Sequence, residues 1–329
     1  MSYLATYLRR LDPVILDTAV IEIAVNADGS IWIETAGAVH MAPAPLPGLT
    51  RDDVRNLAAQ IANSTNSRFT EVSPIVSATV AHHGVMLRAQ IIGPPAAAGG
   101  TILAMRVFRD AEKARVPRRF EFLRAQGTSM EDERRELVAQ LQAEGKGVEV
   151  DAFLKLLVDQ RMNVIISGGT STGKTELGRR MLELVGAEER IVTIEDSSEL
   201  LPAQKNVVSL IASREEGSDR SANLLLQATL RLRPDRIILG ELRGNEAATF
   251  LDAINTGHSG SFTTIHAQTA RKAMDRLALL VMANGSRLAF GEVIRYLETC
   301  IDVIIQMGRE GDRRGIVEVW FPGVRQASG

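Results

Sequence analysis

Apolar positions follow two different rhythms along this chain. Through the first hundred or so residues they come in short runs joined by tight turns. Ile21–Val25 and Ile31–Ile33 flank Asp28-Gly29, and Ile75–Val80 and Val85–Leu87 flank His83-Gly84. Glycine accepts positive φ, so both dipeptides suit the turn of a two-stranded hairpin. Between the hairpins, Thr50 can cap a helix whose Val54, Leu57, Ala58 and Ile61 share one face. Pro94-Pro95 and Gly99-Gly100 then interrupt the chain before a last strand, Thr101–Phe108. Residues 1–108 are therefore expected to form a small α+β domain.

The rhythm is lost over 109–150, where charged residues are too dense for a core. This stretch reads as a linker with solvated helical pieces such as Glu131–Leu141, setting one domain's position relative to the other. From Asp151 to the last residue, apolar strands alternate with amphipathic helices, the signature of a parallel sheet with crossover helices. The expected strands are Asn163–Ser167, Ile191–Glu195, Arg236–Gly240, Ser261–His266 and Ile301–Met307, with Val317–Trp320 at a late edge.

The strongest chemical signal follows the first of those strands. Gly168-Gly169-Thr170-Ser171-Thr172-Gly173-Lys174-Thr175 has the spacing G-x4-G-K-[ST], and a helix with Leu177, Met181 and Leu184 on one side comes next. That strand–loop–helix context is what a phosphate-binding loop requires. Glycines let successive backbone N–H groups turn inward around a phosphate chain. Lys174 would place its cation on the β- and γ-phosphates of ATP, and the Thr175 hydroxyl would ligate Mg²⁺. Glu176 puts an acid beside the loop, which is mildly unfavourable near phosphate unless the side chain points away.

Three further segments narrow the chemistry. Ile191–Asp196 ends an apolar strand in Glu195 and Asp196, with Glu199 just beyond. Ligands gather at the carboxyl ends of strands in open parallel sheets, so these acids can hold Mg²⁺ or orient water. Arg236–Leu239 leads through Gly240 to Glu241, expected to orient or deprotonate the attacking water with water-mediated Mg²⁺ contact; Glu195 is its rival. Gly257–His266 places His258 in a glycine-rich turn and His266 at a strand end. The spacing lacks the further ligands that zinc needs, and a neutral imidazole there can sense the γ-phosphate.

Taken together and in this order, the motifs resemble the secretion-motor superfamily of ATPases, most closely its type IV secretion and conjugal-transfer (TrbB-like) branch. The likeness is carried by the phosphate loop, the acid box Thr193–Asp196, Arg231–Arg243 and the histidine box. It extends more weakly to Glu22–Asn26 and Thr101–Arg106. The resemblance implies an α/β fold, a RecA-like P-loop NTPase domain with a smaller N-terminal α+β domain. It also implies a homohexamer hydrolysing ATP with Mg²⁺ to power pilus assembly or the translocation of protein or DNA cargo. Arg231 and Arg243 match positions of arginines supplied by a neighbouring subunit, and Arg106 matches an arginine near the nucleotide. A second such arginine falls near Met86, with Arg88 two residues along on the same strand face.

Composition excludes little of this. The 329 residues are 45% hydrophobic and 24% charged with a formal net charge of -2, giving no global footprint for nucleic acid. No stretch reaches the ~18 apolar residues needed to cross a bilayer, and the first ten residues lack a signal-peptide core. The single cysteine, Cys300, rules out an internal disulfide and the Cys-x-x-Cys zinc module usual in type II secretion motors. Expected localisation is cytoplasmic, held peripherally at the inner membrane by components of a secretion or conjugation apparatus. The competing readings are a RecA-like DNA motor or helicase, which needs a basic channel, a pilus motor of the same superfamily, and a small-molecule kinase, which needs an acceptor pocket.

Overall fold

The computed structural model describes residues 3–109, 121–125, 127, 129–285 and 287–324. Along the chain the elements are α1 (Tyr3–Leu8), α2 (Asp12–Ile15), β1 (Val20–Val25), β2 (Ile31–Thr35), β3 (Ala42–Pro43), α3 (Arg51–Ser64), β4 (Ile75–His82), β5 (Val85–Ile92) and β6 (Ile102–Phe108). There follow α4 (Met130–Glu144), α5 (Val150–Asp159), β7 (Val164–Gly168), α6 (Lys174–Glu183), β8 (Ile191–Glu195), β9 (Val207–Ile211), α7 (Ala222–Thr229) and β10 (Arg236–Leu239). The last are α8 (Glu246–Asn255), β11 (Phe262–Ile265), α9 (Ala270–Ala283), α10 (Phe290–Cys300), β12 (Val303–Glu310) and β13 (Arg313–Trp320). Tertiary contacts divide the chain into two compact units, Met1–Arg115 with Gly186–Gly240, and Val116–Val185 with Glu241–Gly329.

In the first unit the N-terminal strands form an antiparallel sheet in the order β3-β2-β1-β6-β5-β4. β4 alternates buried and exposed residues along its length, as a strand with one face on a core must. That core is Leu8, Leu11 and Ile15 from the first turns, Val54, Leu57, Ala58 and Ile61 from α3, and inward residues such as Ile23, Leu87, Ile91 and Met105. Thr50 caps α3 as expected: its hydroxyl accepts the Asp53 N–H while the Asp53 carboxylate accepts the Thr50 N–H. The same unit contains β8 with β9 and β10 paired parallel on its two sides. Residues 96–98 run antiparallel beside β9, with Ala98 N–H donating to Ser209 and Ile211 N–H donating to Ala96, each at 2.8 Å.

Side chains fasten these two parts of the first unit together. Arg190 is fully buried and donates to the carbonyl of Leu232 (2.9 Å) and to Asn26 Oδ1 (2.8 Å) on the N-terminal side, with Asn206 Oδ1 also in contact. Arg233 forks onto the two oxygens of Glu34 at 2.9 and 3.0 Å. Burial is the largest influence on Arg190 and lowers its pKa to about 10, which leaves it cationic at neutral pH.

In the second unit β7 is buried throughout and lies between β11 and β12, both parallel to it, with β13 antiparallel beyond β12. Phe153, Leu154, Leu157 and Val158 of α5 and Leu177, Met181 and Leu182 of α6 are buried apolar residues of this unit. Asn163 organises the start of the sheet. Its backbone N–H donates to Asp302 (2.7 Å), its amide donates to the Cys300 carbonyl (2.9 Å), and its side-chain oxygen accepts Gly260 N–H (3.0 Å). Cys300 is a buried core thiol whose pKa burial pushes up.

Of the stretch read as a linker, residues 110–120, 126 and 128 lie outside the described residues. The rest is less solvated than its charge suggests. α4 buries Val138 and Leu141, and Arg134 clasps both oxygens of Asp302 at 3.0 and 2.6 Å, so this helix is docked.

Candidate functional site

The phosphate loop emerges from the carboxyl end of β7. Gly168 is the last strand residue, and a Cβ there would stand 2.5 Å from Thr172 Oγ1 and 2.8 Å from the Met307 carbonyl, so only glycine fits. Thr172 Oγ1 donates to the Gly169 carbonyl at 3.0 Å, closing the loop on itself. Ser171 and Gly173 both have positive φ, 58° and 97°, and Gly173 in this conformation caps the N-terminus of α6. The left-handed turn brings the free N–H groups of the helix start toward the loop's concavity, where the helix dipole favours an anion.

Lys174 is the first residue of α6 and only 9% exposed. Its ammonium donates to the carbonyls of Gly168 (3.0 Å) and Gly169 (2.8 Å) and stands 3.4 Å from His266 Nδ1. Burial lowers its pKa, opposed by the negative charge of Glu241 and assisted by the positive charge of Arg243. Two strand registers bring these groups together. Ile265 of β11 pairs with Ser167 of β7, so His266 stands at the same end of the sheet as the loop. Leu242 N–H donates to Thr264 (2.9 Å), which lays the Glu241 segment along β11. Glu241 Oε1 is 3.4 Å from His266 Nε2, and its other oxygen accepts from Arg243. Lys174, His266, Glu241 and Arg243 therefore form one connected cluster at the mouth of the loop.

Other expected residues take different positions. Thr170 is exposed, while Thr175 is half-buried at the start of α6. The Glu176 side chain is 78% exposed and pairs with Arg179 at 3.3 Å, so its charge does point away. His258 lies beyond the C-terminus of α8 with Nδ1 3.0 Å from the Ala253 carbonyl, a helix-ending contact. Glu195, in the first unit, is buried at the end of β8; its Oε1 accepts the N–H groups of Glu199 and Leu200, each at 3.0 Å. Burial raises its pKa, and those two hydrogen bonds oppose the rise. Asp196 accepts Arg214 Nε (2.8 Å) and Nη2 (2.5 Å), and Arg231 donates to Ser77 Oγ at 2.7 Å.

Arg106 and Arg88 are exposed and directly opposite each other in the β5–β6 register. Like charges so placed destabilise a sheet by about 0.2–1 kcal/mol. Glu22 faces Arg106 from β1, and Glu34 faces Glu22 from β2, completing a row of charges across four strands. Burial raises Glu22 to about 7, with Arg106 the largest opposing influence.

Sequence reasoning passed over Glu246, Met307 and Arg214. Glu246 accepts the N–H groups of Arg243 (2.5 Å) and Gly244 (2.8 Å) and so fixes the turn that carries Glu241. An acid following Gly244-Asn245 at the start of an apolar run was its available signal. Met307 and Arg214 act through contacts that no local spacing reveals.

Comparison with known proteins gives the family. Residues 131–312 match the family described as type II/IV secretion system protein. The type IV secretion system protein VirB11 of Brucella suis biovar 1 (strain 1330) is 31% identical, over 98% of this chain and 91% of that protein. A Mycobacterium tuberculosis (strain H37Rv) protein named for conjugal transfer is 29% identical, over 97% of this chain and 85% of its own length. The crystal structure of the Brucella suis VirB11 ATPase in complex with sulphate superposes with a TM-score of 0.84 at 29% identity, covering 97% of this chain and 94% of that one. The chain belongs to the type II/IV secretion system protein family, in its type IV secretion and conjugal-transfer branch.

Proposed function

We propose that this secretion-system ATPase hydrolyses ATP by in-line attack of a water aimed by Glu241, with the triphosphate held by residues 168–175. The carrying observation is the connected cluster at the carboxyl ends of β7 and β11: a loop with no room for a Cβ at Gly168, a buried Lys174, and Glu241 joined to His266 and Arg243. Lys174 spends its hydrogen bonds on loop carbonyls, which places its cation at the rim of the concavity that the α6 N-terminus opens. There it would meet the β- and γ-phosphates.

Glu241 fits the role of base better than Glu195. One oxygen of Glu195 is bound by two backbone N–H groups, and burial favours its neutral form. Glu241 shares its cluster with the loop lysine and is oriented from both sides by His266 and Arg243. His266 contacts Lys174 through one ring nitrogen and Glu241 through the other, so it can report γ-phosphate loss to β11 and the helix that follows.

The donor set also fits Mg²⁺. Thr175 offers a hydroxyl next to Lys174, and Glu241 offers a carboxylate in the same cluster; Glu195 and Asp196, the other two expected ligands, stand at the end of β8 in the first unit. When bound, Mg²⁺ neutralises charge developing on the β- and γ-phosphate oxygens. Arg231 and Arg243, expected as arginines that act across a subunit interface, and Arg106 with Arg88 add cations for the transferring phosphoryl group. The stacked like charges of Arg88 and Arg106 support an anionic partner on that face of the N-terminal sheet.

Among the described residues no helix is long and apolar enough to cross a membrane. The reading places the protein in the cytoplasm as a ring of six, docked on inner-membrane components of a secretion or conjugation apparatus, with protein or DNA cargo reached through them. Phosphate release from ATP and Mg²⁺ tests the site: Lys174→Ala should lose turnover, and a mutant hydrolysing at the wild-type rate would remove the assignment. Solution mass with and without nucleotide tests the ring.

A further inference from the structure

We propose that Asp12, His82 and His83 form a binding site for a single Zn²⁺ ion on the N-terminal sheet, built from residues that take no part in nucleotide chemistry. Asp12 opens α2, His82 ends β4, and His83 begins the turn into β5. Register makes this turn a two-residue connection, since His82 pairs with Val85. Both turn residues have positive φ, 48° at His83 and 75° at Gly84. Asn, Asp or Gly is the usual first residue of such a turn; histidine is rarer there, though it is among the side chains that tolerate positive φ.

The consequence of that conformation is that two imidazoles converge on one carboxylate. His82 Nε2 is 2.6 Å from Asp12 Oδ1, and His83 Nε2 is 3.3 Å from Asp12 Oδ2. The donor atoms all lie within 4.8 Å of one another. Tetrahedral zinc with bonds of about 2.0–2.1 Å sets its ligands roughly 3.3 Å apart, so small side-chain shifts suffice. Hydrogen bonding alone accounts for His82, a buried histidine satisfied by an acid. It does not require the exposed His83 to face the second oxygen as well, as it does at 3.3 Å.

The donor chemistry selects the metal. Two imidazole nitrogens and one carboxylate suit zinc, whereas magnesium and calcium take oxygen ligands. Asp12 has no lysine or arginine partner among the described residues, so its charge is available to a cation. The side chains of His82 and Asp12 are 5% and 21% exposed, and that of His83 is 52% exposed. This gives the ion a sheltered side and an open one, where water completes the tetrahedron. Both histidines would bind as neutral rings through Nε2 with the proton on Nδ1. The bound ion would fasten α2 to the β4–β5 turn.

The test uses the full chain, stripped of metal by a chelator. Zn²⁺ is titrated against a chromophoric competitor, and Co²⁺ is added separately to read its visible tetrahedral bands. Wild type should bind one Zn²⁺ that His83→Ala and Asp12→Asn weaken by more than about tenfold, and both variants should lose the Co²⁺ bands. Zn²⁺ should raise the melting temperature of wild type and not of His83→Ala, while Mg²⁺-dependent phosphate release stays at the wild-type rate in that variant. His83 is exposed, so this variant decides the matter even where Asp12→Asn fails to fold. Unchanged zinc affinity and Co²⁺ spectrum in His83→Ala, or no zinc uptake by wild type, overturns the proposal.

Discussion

Replacing Glu241 by Gln separates the two carboxylates that compete for the role of base. The amide is nearly isosteric and can keep both contacts: its oxygen accepts from Arg243 and its NH₂ faces His266 Nε2, now 3.4 Å from the carboxylate. Ground-state binding of nucleotide should therefore change by less than about threefold, under ~1 kcal/mol. An amide cannot take a proton from water or present a full negative charge to it. General-base removal costs about 10²–10⁴ in rate, or ~3–5 kcal/mol on the barrier. Glu195→Gln gives the contrast. Its carbonyl can go on accepting the N–H groups of Glu199 and Leu200, and burial already disfavours the charged form, so turnover should fall by about tenfold at most, ~1.4 kcal/mol. The assay is steady-state phosphate release at saturating ATP and Mg²⁺, with affinity read from a fluorescent ATP analogue. Should Glu241→Gln retain more than a tenth of wild-type turnover while Glu195→Gln falls by hundreds-fold, the assignment is reversed.

Gly168→Ala places a Cβ 2.5 Å from Thr172 Oγ1 and 2.8 Å from a backbone carbonyl, so it should cost about 1–3 kcal/mol in denaturant unfolding and weaken nucleotide binding; an unperturbed variant would show that the loop is looser than described. Glu22 has a folded pKa raised from 4.5 to about 7, so its burial penalty is absent below about pH 4.5 and fully present above about pH 7. Stability contributed by its proton is lost as pH rises through that window, and Glu22→Gln should flatten the loss, gaining on the order of 3 kcal/mol over wild type at pH 8 by urea unfolding. An unchanged pH profile would place the titration elsewhere. Arg88→Ala removes one of two facing cations, so its melting temperature should hold or rise slightly while ATP turnover drops; a drop in melting temperature with turnover unchanged would make Arg88 a fold residue.

What could be read from the sequence was what is local in the chain. The phosphate loop, the Thr50 cap and the turns at Asp28-Gly29 and His83-Gly84 are each set by a few neighbouring residues, and each expected strand of the second half has a counterpart among β7, β8, β10, β11, β12 and β13. β9 was missed because Val207–Ile211 is five residues with half-exposed positions, too short for its periodicity to stand out. The docking of α4 was hidden by its charge. Only Val138 and Leu141 face inward, and the partner of Arg134 lies 168 residues away at Asp302. At the site, residue types were legible and their alliances were not. Nothing in the spacing says that Glu195 spends an oxygen on Glu199 and Leu200, or that His266 touches both Lys174 and Glu241.

The least legible feature bears most on how the motor transmits force. Arg190 has one guanidinium nitrogen on Asn26 of β1's end, Arg233 grips Glu34 of β2, and Arg231 reaches Ser77 of β4. Strands β8–β10 carry the acid box and these arginines, so the N-terminal sheet is fastened to them at three of its own strands and along residues 96–98. Arg190 is completely buried, and pulling its acceptors away would leave guanidinium N–H groups unsatisfied at a cost of about 1–3 kcal/mol or more. That penalty makes the two parts move as a piece. On the proposed reading, a displacement of Glu195 or Asp196 on nucleotide turnover would be delivered to the N-terminal sheet through these side chains and the pairing of residues 96–98 with β9.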